Sequence, residues 1–76
     1  MGAELVREAT RDGQRVVYLR CYDGVDGQTV VEAEVTPIGT TTPYARGPYL
    51  FASAADGFRF IQEAVLALQY LGCAVA

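Results

Sequence analysis

Tyr18, Arg20 and Tyr22 stand at alternate positions in the run QRVVYLRCY. Alternate residues of an extended strand point to one side, so the three form a row. A ring, a guanidinium and a second ring in line is the chemistry of a stacking platform for unpaired bases. It is also the chemistry of a protein interface, where Tyr and Arg concentrate at the centre of contact. Carboxylates occur in pairs as well, Glu32 with Glu34 and Asp23 with Asp26. The first pair lies on a strand next to Arg20, which reads as a solvated, ion-paired face rather than an acid–base dyad. The second pair lies in DGVDG, where the acid spacing is that of a partial calcium loop. The alternate ligands and closing bidentate acid of a twelve-residue loop are missing, so this segment reads as a hairpin turn.

The chain contains no histidine, and its six basic residues are all Arg. The usual general base is therefore absent, with the Ser-His and Cys-His nucleophile pairs. No lysine exists for a phosphate loop or a Schiff base. Cys21 and Cys73 have no metal-ligand spacing, and two thiolates without histidine make a poor zinc site. They read as two reduced, buried thiols, with a disulfide between them as the alternative. No cofactor, metal site or catalytic residue is expected, and the chain does not read as an enzyme. The net charge of −3 argues against a sequence-independent grip on phosphates.

These side chains need a frame, and the stretch that organises it is Ser53–Gly72, SAADGFRFIQEAVLALQYLG. Ser53 and Asp56 form a short capping box, and Gly72 is a left-handed stop after Leu71. At 100° per residue, Phe60, Ile61, Ala64, Val65, Ala67, Leu68 and Leu71 share one face, with Phe58 at its margin. Leu66 and Tyr70, one turn apart, point outward among polar residues. They are candidate contacts for a partner subunit or for the chain's own tail. Such a helix cannot stand alone and must lie on a sheet built from the preceding residues.

Residues 4–10 read as a first strand, with a short helix as the alternative, followed by an Asp12-Gly13 hairpin turn. Residues 14–22 form the second strand, with Val17, Leu19 and Cys21 inward and Val16, Tyr18, Arg20 and Tyr22 outward. Residues 29–38 form the third, with Val31, Ala33 and Val35 inward. Pairing the two apolar sets sets Cys21 opposite Val31, Leu19 opposite Ala33 and Val17 opposite Val35. The same register faces Arg20 with Glu32 and Tyr18 with Glu34. Residues 39–48 read as a long loop whose only large side chains, Tyr44 and Arg46, are candidate contacts. Residues 49–52 form a short fourth strand. The apolar tail CAVA either adds an edge strand or lies over Leu66 and Tyr70.

The expected fold is therefore one α+β domain over residues 1–76, a four-stranded antiparallel meander followed by one C-terminal helix on one sheet face. This order of elements is similar, at the level of topology, to one repeat of the Pur-type and whirly-type single-strand binders. The likeness implies a nucleic-acid role for the outer sheet face but assigns it no residue. Glu32 and Glu34 oppose that role. With 51% apolar and 20% charged residues the chain is globular. It has no apolar run long enough for a membrane span, and no signal-peptide pattern at its start. The all-Arg composition, with much Ala, Val and Gly, suggests a bacterial source, and two reduced thiols suit a cytoplasmic protein. The expected function is a non-catalytic interaction module acting as a homodimer, with single-stranded nucleic-acid binding through Tyr18, Arg20 and Tyr22 as the alternative.

Overall fold

A computed structural model of the chain describes residues 4–76, so readings of the first three residues lie outside it. The chain forms an antiparallel sheet of four main strands and a fifth short one, with one C-terminal helix packed on it. The strands are β1 (Leu5–Arg11), β2 (Gln14–Asp23), β3 (Thr29–Val35), β4 (Tyr44–Phe51) and β5 (Ala74–Val75). The helix α1 spans Ala54–Tyr70, and the sheet order is β4-β3-β2-β1-β5. Among the described residues no helix is long and apolar enough to cross a membrane.

Asp12 and Gly13 both take positive φ, as a two-residue hairpin turn between β1 and β2 requires. β2 and β3 pair in the expected register, Cys21 with Val31, Leu19 with Ala33, Val17 with Val35, Arg20 with Glu32 and Tyr18 with Glu34. Leu19, Cys21, Val31 and Ile61 form the buried centre, with Phe58, Phe60, Ala64, Val65 and Leu68 of α1 packed around it. Both cysteines are free; Cys21 is fully buried and Cys73 partly so. Gly57 lets α1 approach the sheet, since a β-carbon there would lie 2.7 Å from Thr29 Cγ2 and 3.2 Å from Cys21 Sγ.

Several details depart from simple alternation. Between β1 and β2 the register slips, Ala9 pairing with Val17 and Thr10 with Arg15, which leaves Val16 as an extra residue. Val16 is buried rather than part of an outward face, and Arg15 takes the place beside Tyr18. Val30, expected outward, is also buried, because the turn after β2 covers it: a β-carbon on Gly24 would lie 2.7 Å from its Cγ2. The fourth strand begins at Tyr44, not Tyr49, so the long loop shrinks to residues 36–43. Its second half is absorbed by a bulge in which Gly47 and Pro48 oppose Glu32. Gly47 has φ +90°, the left-handed conformation a glycine bulge needs, and Pro48 is tolerated because β4 is an edge strand.

The helix caps are half as expected. Ser53 Oγ accepts from the Asp56 amide at 3.3 Å, but the reciprocal bond from the Ser53 amide to the Asp56 carboxylate does not form. At the other end the Cys73 amide donates to the Leu68 carbonyl at 2.9 Å and the Gly72 amide to that of Gln69 at 3.0 Å. With Gly72 at φ +95° this is a Schellman stop, and it turns the tail back onto the sheet. The tail takes the first of its two expected places. β5 pairs with Ala9 and Thr10 of β1, leaving Leu66 and Tyr70 uncovered.

Candidate functional site

The seven candidate contact residues fall on three separate surfaces. Tyr18, Arg20 and Tyr22 share the sheet face opposite the helix. Tyr44 and Arg46 belong to β4, paired with Val35 and Ala33, and so lie on the helix side of the sheet. The Arg46 guanidinium sits 4.2 Å from the centre of the Tyr44 ring. Leu66 and Tyr70 project from the far side of α1.

The outer sheet face is a closed electrostatic network. Arg20 Nε donates to Glu4 at 2.7 Å and its guanidinium covers the Tyr22 ring at 4.6 Å. Arg15 bonds Glu8 at 3.1 Å and covers the Tyr18 ring at 5.1 Å. The Tyr22 hydroxyl donates to the Glu32 carboxylate. Glu32 thus engages Tyr22, not the Arg20 that it pairs with across the strands. The bond to Glu4, reinforced by the charges of Glu4 and Glu32, raises the Arg20 pKa. The bond to Glu32 likewise pushes the Tyr22 phenol up. Both rings are covered by guanidinium groups that carboxylates already hold. Four acids, Glu4, Glu8, Glu32 and Glu34, surround two arginines, an arrangement that repels phosphates.

The helix surface has no such internal closure. Leu66 is 59% exposed, Tyr70 92% and Leu71 63%. Leu71 is exposed against the periodic reading, which placed it inward with Leu68. As the C-cap residue it has ψ near 2° and already leaves the helical path, so 100° spacing no longer fixes its direction. The Gly72 stop is the sequence signal that could have shown this. Three large apolar or aromatic side chains are therefore exposed along the last turns of α1 and its cap. Arg59 and Glu63 stand on the same stripe as Leu66 and Tyr70, at spacings of four, three and four residues. Both are exposed.

Comparison with known protein families, curated proteins and solved structures gives no match. The topological likeness to single-strand binders therefore rests on the order of elements alone.

Proposed function

We propose that this chain is a non-catalytic interaction module that self-associates through the exposed face of α1. The observation that carries the reading is the exposure of Leu66, Tyr70 and Leu71, left uncovered while the tail that could have screened the helix is bound to β1. Burying a large apolar side chain is worth about 1.5–3 kcal/mol. Three from each copy match an association cost of roughly 4–15 kcal/mol. A two-fold pair of antiparallel helices centred on Leu66 sets Tyr70 of each copy opposite Gln62 of the other, where the phenol can donate to the side-chain carbonyl. The all-Arg composition supports a bacterial source for such a module, and its two free thiols suit a cytoplasmic setting.

The test is analytical ultracentrifugation of the double variant Leu66→Glu/Tyr70→Glu. The expected result is a folded monomer beside a dimeric wild type; an equally dimeric variant sinks this interface. The alternative, single-strand binding by Tyr18, Arg20 and Tyr22, is disfavoured by the acidic ring around those residues and has its own test in the Discussion.

A further inference from the structure

The β1 edge of the sheet is only partly closed. β5 pairs with Thr10 and Ala9, and Ala76 exchanges backbone bonds of 3.2 and 2.9 Å with Glu8. Towards Leu5 none of the described residues pairs with this edge. Backbone groups alternate sides along a strand, so the amide and carbonyl of Val6 face the same open side as those of Glu8. The Val6 carbonyl there accepts from the guanidinium of its own neighbour, Arg7 Nη1, at 2.9 Å. Alongside this edge a groove of about 440 Å³ runs between β1 and α1, lined by Leu5, Phe58, Ile61 and Val65 with Arg7 and Gln62.

We propose that this groove takes an extended segment of a partner polypeptide, added to β1 as an antiparallel strand in line with β5. An exposed strand edge beside an apolar groove supplies both parts of such recognition, main-chain bonds for affinity and side-chain pockets for specificity. The residue opposite Val6 exchanges main-chain bonds with it, its amide replacing the Arg7 guanidinium on the Val6 carbonyl. Its two neighbours, opposite Leu5 and Arg7, point into the groove. The one opposite Leu5 meets Phe58 and Val65 and must be apolar. The one opposite Arg7 meets a guanidinium free of carboxylate partners among the described residues, where the ion pairs are Arg15–Glu8 and Arg20–Glu4. It is therefore acidic. Glu4 also lines the groove, but Arg20 holds its carboxylate. Because the added strand runs opposite to β1, the segment reads acid, any residue, apolar.

A second copy of this chain fits the edge poorly. Antiparallel pairing centred on Val6 sets Glu4 against Glu8 of the other copy, and the Glu8 backbone is already bonded to Ala76.

The experiment is an NMR titration of the whole chain with Glu-Val-Leu-Ser-amide, whose first residue lies opposite Arg7 and so leaves Glu8 to Ala76, up to about 1 mM. The expected result is a shift of the Val6, Phe58 and Val65 amides, with slowed exchange of the Val6 amide. Replacing the probe's Glu by Arg should weaken binding by about tenfold, and Arg7→Glu should restore the Arg probe while losing the Glu probe. The two wild-type titrations supply the charge test even if that variant fails to fold. Absence of shifts, shifts confined to β4 or the helix patch, or equal affinity for both probes would overturn the proposal. So would concentration-dependent shifts at Val6 without any peptide, which would give the groove to a second copy.

Discussion

Gly57 of α1 rests on Thr29 of β3 so closely that a β-carbon would lie 2.7 Å from the Thr29 methyl. Thr29 is itself buried and β-branched, and Cys21 Sγ closes the other side at 3.2 Å, so neither neighbour can swing away. Gly57 is thus the point at which helix and sheet are clamped together.

Glycine within a helix is ordinarily unfavourable, and Gly57→Ala should gain about 1 kcal/mol of helix propensity. Overpacking against Thr29 costs about 1–3 kcal/mol, so the net change should be a loss of about 1 kcal/mol. Gly57→Val brings a larger clash and smaller gain, and should lose about 3 kcal/mol. Urea denaturation measures both, and a Gly57→Ala variant more stable than wild type would contradict the clamp.

Burial first, and then the charge of Asp23, push the Cys21 thiol above its ordinary range. A thiol whose folded pKa exceeds its unfolded value stabilises the fold fully below the unfolded value, about 8.5. That contribution declines as pH rises from there through the folded value. Stability should therefore fall with pH above about 8.5. Cys21→Ala should flatten this slope, whatever its own cost in packing. In the native state a thiol reagent should label Cys73 well before Cys21. Equal labelling rates would show that Cys21 is not sealed by the helix.

Most of the frame was legible in the residues because one face of the sheet is buried. Val17, Leu19 and Cys21 could share a side with Val31, Ala33 and Val35 in only one register, and that register is the one formed. The bulges were not legible. At Val16 the extra residue follows from how β1 and β2 fit together, which no local pattern records. Gly47 and Pro48 punctuate a sequence as a loop does, yet an edge strand accommodates both in a bulge, and so β4 starts five residues earlier than its apolar run. Of the candidate contacts, Leu66 and Tyr70 were readable from helical period alone. The closing of Arg20 onto Glu4 was not, because it joins residues sixteen apart on strands whose pairing has to be known first.

The outer sheet face should not bind single-stranded nucleic acid. Fluorescence anisotropy with a mixed-sequence oligonucleotide at low salt should show no binding, since carboxylates hold the arginines that cover Tyr18 and Tyr22. Salt-sensitive binding that Tyr18→Ala weakens would revive that role. In the same network, Glu32→Gln removes the acceptor charge that raises the Tyr22 phenol, and should bring one tyrosine ionisation back down. Tyrosinate absorbance against pH measures it, and an unchanged curve would mean that the Tyr22–Glu32 bond does not persist in solution.

Self-association depends on what Leu66, Tyr70 and Leu71 meet. Multi-angle light scattering across a dilution series tests it most directly, on wild type and on Leu66→Glu/Tyr70→Glu with circular dichroism confirming the fold of each. The expected result is a wild-type mass of two chains that falls toward one on dilution, and one chain for the variant at every concentration. A wild type that stays a single chain throughout, or a variant that keeps the mass of two, would contradict it.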